Sequence, residues 1–335
     1  MAYTTIDNPE LYFQVKTYTG NGSTQTITFD NTDADLDADM IWLKSRSDAY
    51  SHQLFDTVRG ANELLNPEAT DAEQTLSGIT AFATDSFSIG SDAGTNANTK
   101  TYVAWCWKET ATAGFDIVSY TGNGSNRTIS HSLSAKPAMM IVKQRSASRD
   151  WWVYNKNLDG TDGATGVLYL STTDAAGTSA TTSWNSTAPT TSVFSLGTTV
   201  GVNKASQTYI AYLFAEKQGF SKFGSYIGNG NANGTFVYTG FRPAFVMLKN
   251  TTDARNWIIV DNKRLGYNTI TSALYPDNND AEASASGDPV MDFTAQGFKL
   301  RDTSDHWNES GDTFIYMAIA ESSFVNSSGV PNNAR

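Results

Sequence analysis

Apolar and polar residues alternate over short stretches along the whole chain, and Gly, Asn, Ser and Thr cluster between these stretches. This pattern predicts β-strands joined by turns, because successive side chains of a strand point to opposite faces. In the first third of the chain it predicts strands near residues 12–18, 24–29, 40–45, 52–57, 79–82, 86–89 and 101–108. Only residues 61–65, just before Pro67, suggest one helical turn. The sequence therefore predicts an all-β protein.

Four sequence landmarks recur three times in the same order. The first is Tyr-Thr/Ile-Gly-Asn-Gly, which begins at Tyr18, Tyr120 and Tyr226. The second is an apolar run that ends in lysine, at Lys44, Lys143 and Lys249. The third begins at Phe87, Phe194 and Phe298, and the fourth is a block from Thr to Glu at 101–109, 208–216 and 313–321. Ordered landmarks of this kind indicate an internal triplication.

The triplication predicts three tandem antiparallel β-sandwiches, each of roughly 100 residues, which is the size of a two-sheet sandwich. We define module 1 as residues 11–112, module 2 as 113–219 and module 3 as 220–325. Residues 1–10 form a leader and 326–335 a polar tail, and both are expected to dock onto neighbouring proteins. Because the joints are short, we expect the modules to stack at fixed angles.

Two of the landmarks also predict local structure. The strands of the second and fourth landmarks are apolar at consecutive positions, so we expect them in sheet centres with both faces covered. The Gly-Asn-Gly sequence predicts a hairpin turn, because Asn and Gly tolerate positive φ. Its three copies are Gly20, Asn21 and Gly22; Gly122, Asn123 and Gly124; and Gly228, Asn229 and Gly230.

Charge and composition limit the partners. The chain has 23 Lys and Arg against 34 Asp and Glu, a formal net charge of −11, which disfavours binding to nucleic acid and to anionic membranes. Cys106 is its single cysteine, so no internal disulfide is possible, and we expect a buried strand thiol. We find no secretory leader and no apolar run long enough for a membrane helix, and therefore expect no membrane insertion.

The candidate chemistry is sparse. The histidines, His52, His131 and His306, have no metal-ligand partner at usable spacing, and we expect exposed or strand-edge positions for them. The acidic residues 33–39 lack the glycine and terminal glutamate of an EF-hand, which leaves a solvated loop or a weaker calcium site. Glutamates recur at the end of the fourth landmark in all three modules, where solvation or pairing across modules is expected. We therefore expect no catalytic residues, no cofactor and no metal ion.

Aromatic residues offer one candidate contact site. Trp151 and Trp152 follow the second landmark in module 2, and Trp257 follows it in module 3. An exposed platform of these rings would stack on a sugar or contact a partner protein, whereas core packing is the alternative explanation.

Several segments resemble a known family. They are the opening residues 3–9 with Tyr12 and Phe13, the Tyr-Thr-Gly-Asn-Gly turns, the lysine run with residues 45–47, and residues 102–108. Together they resemble repeat-containing virion proteins of tailed bacteriophages, particularly of marine and cyanobacterial hosts. The resemblance implies lectin-like or jelly-roll-like sandwiches and a place on the virion, and it brings no catalytic residues with it.

We therefore expect a non-enzymatic structural protein of the phage tail, fibre or outer capsid shell, made in the host cytoplasm and assembled into virions. Its expected partners are other virion proteins and copies of itself, with a trimer as the expectation by class. The alternative is a carbohydrate-binding adhesin that recognises glycans on the host surface.

Overall fold

The computed structural model describes residues 3–29, 36–159, 162–178, 180–265, 267–284 and 290–331. The fold is all-β and antiparallel, as predicted. Its helices are short: a 3-10 helix at Pro9–Leu11, α1 at Ala93–Asn96, α2 at Ala180–Ser183 and α3 at Val200–Asn203.

The strands of module 1 are β1 (Phe13–Thr19), β2 (Gln25–Thr28), β3 (Met40–Ser45), β4 (Gln53–Asp56), β5 (Gly60–Leu65), β6 (Gln74–Thr75), β7 (Ile79–Ala83), β8 (Ser86–Ile89) and β9 (Thr101–Trp107). Those of module 2 are β10 (Phe115–Thr121), β11 (Arg127–Ser130), β12 (Pro137–Gln144), β13 (Trp152–Asn155), β14 (Leu168–Tyr169), β15 (Val193–Leu196) and β16 (Thr208–Ala215). Those of module 3 are β17 (Ser221–Ile227), β18 (Phe236–Tyr238), β19 (Phe241–Asn250), β20 (Ile258–Asp261), β21 (Ser272–Ala273), β22 (Ala283–Ser284), β23 (Met291–Thr294), β24 (Gly297–Leu300) and β25 (Thr313–Ser323).

The large sheets repeat one strand order. The sequence β1-β9-β3-β4, which β5 and β6 extend, has counterparts in β10-β16-β12-β13 and in β17-β25-β19-β20. Each module adds a small sheet, namely β2-β8-β7, β11-β15 and β18-β24-β23. In each large sheet the first strand pairs with the last, so the two ends of a module lie side by side.

The central strands of each large sheet are buried on both faces, as predicted. In β3, Ile41 and Leu43 pack in the core of module 1, between its two sheets. Met40 and Trp42, at the alternate positions, belong to a different core that also contains residues of modules 2 and 3. Because successive side chains of a strand point to opposite faces, β3 contributes side chains to both cores.

The second core joins all three modules. It includes Trp107 of module 1, Phe214 of module 2 and Phe245 of module 3, and the ring centroid of Trp107 lies 6.4 Å from Phe214 and 5.6 Å from Phe245. A cavity of about 10 Å³ remains among the apolar side chains there, no larger than one water molecule. Each module contacts both others, so the modules, which we expected to stack at fixed angles, close a ring around a shared core.

Two local predictions are also wrong. Residues 61–65 lie in strand β5 instead of a helical turn, because Leu64 and Leu65 point to the module core and the shared core respectively. The Gly-Asn-Gly turn does not close a hairpin, since β1 pairs with β9 and β2 pairs with β8. The turn instead carries the chain from the large sheet to the small one.

The leader packs against its own chain. The Tyr3 hydroxyl donates to the Gly240 carbonyl oxygen at 2.8 Å, and Ile6 is buried. The amide of Ser327, in the tail, donates to the Asp7 carboxylate at 2.6 Å. The leader therefore packs on module 3 and on the tail of the same molecule, and its docking onto a neighbouring protein stays a prediction.

Candidate functional site

The tryptophans proposed as a sugar platform lie at the module junctions. Trp151 is 0% exposed, and its Nε1 donates to the carbonyl oxygens of Asn66 at 2.9 Å and Ala69 at 3.1 Å, both in module 1. Trp257 is 1% exposed and donates to the Tyr169 carbonyl oxygen of module 2 at 2.9 Å. Both rings are therefore inaccessible to a ligand, and core packing is the correct interpretation.

Trp152 has a different position. It is half-buried, and its ring meets Tyr169 edge-on with centroids 4.8 Å apart. Its indole nitrogen has no hydrogen-bond partner among the described residues. The structure thus separates the three tryptophans that the sequence grouped.

His52 is the module 1 counterpart of Trp151 and Trp257, since each follows its landmark lysine by eight residues. Its Nδ1 accepts from Trp42 Nε1 at 2.9 Å, which leaves the proton on Nε2, 3.0 Å from the Tyr275 carbonyl oxygen of module 3. Burial lowers the pKa of His52 well below its ordinary value, so the ring is neutral. The expected exposed position is therefore wrong. His52 contacts module 3 from module 1, as Trp151 contacts module 1 from module 2 and Trp257 contacts module 2 from module 3.

The landmark lysines are buried at the same junctions, each with a fully covered side chain. Lys143 Nζ donates to Thr70 of module 1 at 2.9 Å, and Lys249 Nζ donates to Thr173 of module 2 at 2.9 Å, both to carbonyl oxygens. Lys44 Nζ donates within its own module, to the carbonyl oxygens of Ser45 and Asp48. Burial lowers the pKa of all three ammonium groups to about 8.

A chain of ion pairs crosses the junction between modules 1 and 2. Arg59 Nε lies 2.5 Å from the Asp56 carboxylate, and both side chains are 0% exposed. The Tyr212 hydroxyl of module 2 donates to the same carboxylate at 2.6 Å. Glu73 then links Arg59 at 3.2 Å to Arg145 of module 2 at 2.7 Å.

The junction between modules 3 and 1 repeats this chain. Arg264 Nε lies 2.6 Å from Asp261, which accepts from Trp105 Nε1 of module 1 at 3.0 Å. Glu282 links Arg264 at 3.4 Å to Arg46 of module 1 at 2.6 Å. No covalent link of the chain crosses this junction directly, so these contacts help to close the ring.

The junction between modules 2 and 3 has uncharged residues at these positions. Asn155 stands where Asp56 and Asp261 stand in the other modules, because all three end the strand that pairs with the lysine run. Leu158 takes the place of the arginine, and Met317 takes that of Tyr212 and Trp105. Two junctions therefore carry a buried Asp–Arg pair at these positions, and the junction between modules 2 and 3 has Asn155 and Leu158 instead.

The recurring Tyr-x-Gly-Asn-Gly turn rests on a buried asparagine that the sequence interpretation missed. In module 1, Asn96 Oδ1 accepts from the Asn21 amide at 2.9 Å, and Asn96 Nδ2 donates to the carbonyl oxygens of Ser23 and Gly90 at 2.6 Å each. Asn203 and Asn308 make the equivalent bonds. Each precedes the Thr of the fourth landmark by five residues, which is the signal that could have revealed it.

Steric limits and hydrogen bonds explain why glycine, asparagine and tyrosine recur in the turn motif. A Cβ on Gly20 would lie 2.2 Å from the Ala97 carbonyl oxygen, and the same clash arises at Gly122 and Gly228. Gly22, Gly124 and Gly230 have positive φ, as expected for a tight turn. The Asn21, Asn123 and Asn229 side chains accept from the amide two residues on. The tyrosine hydroxyls donate to carbonyl oxygens just before the buried asparagines.

The recurring glutamates do not converge on one site. Glu216 pairs with Lys156 of module 2 at 2.8 Å and Lys222 of module 3 at 2.6 Å, a cross-module pairing of the kind expected. Glu321 pairs with Arg242 at 2.5 Å. Glu109 is half-buried beside Asp116, and burial with this neighbour raises its pKa to about 7.

The acidic stretch 33–39 lies partly outside the described residues, which begin again at residue 36. In the described part, Asp37 lies 3.1 Å from Lys108, and Asp39 accepts from the Glu109 amide at 2.7 Å. Among the described residues, no group of three or more His, Cys, Asp or Glu side chains is placed to hold a metal ion. Within the same ranges, no helix has the length and apolar character needed to cross a bilayer.

The sequence comparisons add a family. A family model described as a domain of unknown function, DUF7483, matches residues 8–323. The chain belongs to this family. The DUF7483 match runs through all three modules, as the shared core does. No curated protein matches the chain.

Proposed function

We propose that this chain is a non-enzymatic structural unit of a tailed-phage particle, placed in the tail, the fibre or the outer capsid shell. The observation that carries the proposal is the use of the recurring residues. Two of the three landmark lysines, the Trp and His rings and Glu216 contact a neighbouring module. Lys44, the turn motif and Glu321 make contacts within their own module.

The architecture suits a part that must keep its shape. The central strands of each large sheet are covered on both faces, and the buried side chains include large aromatic residues from every module. Tight packing of this kind gives an interior of low compressibility that transmits strain. The net charge of −11 favours solubility before assembly and disfavours adventitious binding to the packaged nucleic acid.

The expected partners are other virion proteins and further copies of this chain, and a trimer stays a prediction. Mass spectrometry of purified particles of the phage that encodes the chain tests the proposal. We expect the chain at a stoichiometry of many copies per particle, released only by conditions that dissociate the virion. Its absence from particles purified to constant infectivity would refute a structural role.

A further inference from the structure

Only two of the three junctions are bridged by a joint of the chain. Residues 108–114 lead from β9 of module 1 to β10 of module 2, and residues 216–220 lead from β16 of module 2 to β17 of module 3. Modules 3 and 1 are not consecutive in the sequence, so no joint of this kind runs between them. Because a short joint keeps two modules at a high effective concentration, the junction between modules 3 and 1 depends most on non-covalent contacts.

The leader packs where a joint would pack. Each covalent joint places an apolar side chain in the shared core before the first strand of the next module, namely Ala113 and Phe220. The leader places Ile6 in the same core, where it is 2% exposed. Tyr12, which follows the leader, meets Phe220 edge-on with ring centroids 6.0 Å apart. Residues that precede the first strand therefore enter the shared core in all three modules.

Two glycines let the leader approach the backbone beneath it. The Gly240 carbonyl oxygen of module 3 accepts from the Tyr3 hydroxyl at 2.8 Å and from the Phe324 amide at 3.3 Å, and a Cβ on Gly240 would collide with that hydroxyl. Thr4 is 3% exposed, and a Cβ on Gly219, at the joint between modules 2 and 3, would lie 2.8 Å from its Cβ. Glycine at these positions, which both have positive φ, therefore leaves room for the leader.

The tail holds the leader from the other side. The Ser327 amide donates to the Asp7 carboxylate at 2.6 Å, and the Ser327 hydroxyl donates to its second oxygen. The tail is itself shaped by Asn326, whose side-chain oxygen accepts from the Ser328 amide at 3.1 Å and the Val330 amide at 2.9 Å. Hydrogen bonds to a charged group are stronger than neutral ones, so the Asp7 carboxylate is a firm point of attachment between leader and tail.

We propose that residues 3–8 form a strap that closes the ring between modules 3 and 1 in place of a covalent joint, with Ser327 as its clasp. When the strap is released, the shared core loses Ile6, and the hydrogen bonds to Gly240 and Ser327 are lost. The ion pairs, hydrogen bonds and core contacts between modules 3 and 1 then hold the junction without it. We therefore expect this junction to open before the other two. The strap acts within one molecule, so its role does not depend on where the chain lies in a particle.

One backbone hydrogen bond at each junction reports the opening of that junction. The amides of Glu73, Ala176 and Glu282 donate to the carbonyl oxygens of Arg145, Thr251 and Arg46, at 2.8, 3.0 and 2.8 Å respectively. The first bond joins modules 1 and 2, the second joins modules 2 and 3, and the third joins modules 3 and 1. An amide exchanges its hydrogen when its bond opens, so the exchange rates of these three amides measure the opening of the three junctions separately.

Hydrogen exchange followed by mass spectrometry tests the strap in the full chain and in a variant without residues 3–8. We expect the Glu282 amide to exchange at least about tenfold faster in the deletion variant, because the free energy of opening falls at its junction. The Glu73 and Ala176 amides should exchange as in the unaltered chain. These two amides are controls within the same molecule.

Point substitutions test the strap without shortening the chain. The double variant Tyr3→Phe with Asp7→Ala removes the hydrogen bonds to Gly240 and Ser327, and we expect it to speed exchange of the Glu282 amide by at least about fivefold. The matched control is Thr5→Ala, at an exposed position of the strap, which should exchange like the unaltered chain. An unchanged circular dichroism spectrum verifies folding, and the double variant decides the test if the deletion variant fails this check.

Three results would overturn the strap. One is unchanged exchange of the Glu282 amide in the variants, since the junction would then stay closed without the leader. Another is an equal acceleration at all three amides, which would mean that the leader stabilises the whole molecule and not one junction. The third is an unaltered chain that sediments as a dimer and a deletion variant that sediments as a monomer, because the leader would then reach a second copy. Each can occur while mass spectrometry still finds the chain in virions, so failure of the strap and failure of the structural role are separable.

Discussion

The buried ion chain at the junction of modules 1 and 2 makes the sharpest prediction. The Arg59 guanidinium donates to the Asp56 carboxylate and to the carbonyl oxygens of Leu54 at 2.9 Å and Glu63 at 2.8 Å. Replacing it with leucine leaves the fully buried Asp56 without its countercharge. Breaking one partner out of a buried pair costs about 3–5 kcal/mol of the free energy of unfolding, a large part of a typical total of about 5–15 kcal/mol.

The protein itself supplies the neutral alternative. Module 2 has Asn155 and Leu158 where module 1 has Asp56 and Arg59. The double variant Asp56→Asn with Arg59→Leu removes both charges and keeps an acceptor for the Tyr212 hydroxyl. The carbonyl oxygens of Leu54 and Glu63 lose their donor, and each loss lowers the free energy of unfolding by about 1 kcal/mol. We therefore expect the double variant to lose about 2 kcal/mol, less than Arg59→Leu alone.

Urea unfolding followed by tryptophan fluorescence measures both effects. We expect one cooperative transition with an unchanged slope, because the modules share a core. The control is Lys136→Leu, which removes an ion pair with Asp162 whose side chains are 40% and 62% exposed, and should cost less than about 1 kcal/mol. The reasoning is refuted if Arg59→Leu costs no more than this control, or if the double variant is as unstable as the single one.

Three further predictions follow from the junctions and the turns. Trp151→Phe leaves two carbonyl oxygens without a donor and should lower the free energy of unfolding in urea by about 1–3 kcal/mol. Trp152→Phe should lower it little, because the indole nitrogen of Trp152 has no partner among the described residues. Equal losses in the two variants would contradict the junction role assigned to Trp151. Asn203→Ala removes the bonds to Asn123, Ser125 and Gly197 and should cost at least about 2 kcal/mol, while Asn233→Ala, at an exposed position, should not. A midpoint shift no larger than that of the Asn233 variant would show that the turn does not rest on the Asn203 side chain. Burial raises the pKa of Glu68 from 4.5 to about 7, so its stabilising contribution is present below pH 4.5 and is lost as the pH rises through 7. Between about pH 5 and pH 7.5 the free energy of unfolding should fall, and Glu68→Gln should flatten that fall; an identical pH profile in the variant would contradict the raised pKa.

The local pattern of this chain determines much of its secondary structure. Strands predicted at 40–45 and 86–89 are β3 and β8, and the block at 101–108 becomes β9 with one residue fewer. Positive φ at Gly22 also follows from the turn sequence. These features depend on neighbours within a few residues, where alternation and steric limits on the backbone are decisive.

The local pattern does not identify contacts between residues that are distant in sequence. The run 40–44 is apolar on both faces, which indicates that both faces are covered. The pattern does not indicate which residues cover them. The alternate faces of β3 meet the small sheet of module 1 and the cores of modules 2 and 3. A linear stack and a closed ring satisfy the same alternation, so the pattern could not distinguish them.

The same lack of information on distant contacts explains why the sequence interpretation expected Trp151 and His52 at the surface. Trp151 and His52 occupy equivalent positions, yet one looks like a platform and the other like a surface histidine, because their carbonyl partners at Asn66 and Tyr275 are 85 and 223 residues away. Alternation and the repeated motifs by themselves predicted the all-β class, seven of the nine strands of module 1 and the threefold recurrence of landmarks. Ring closure, the buried charges and the position of the leader on module 3 were decided by tertiary packing, since burial is a property of what lies opposite a residue and not of its sequence neighbours.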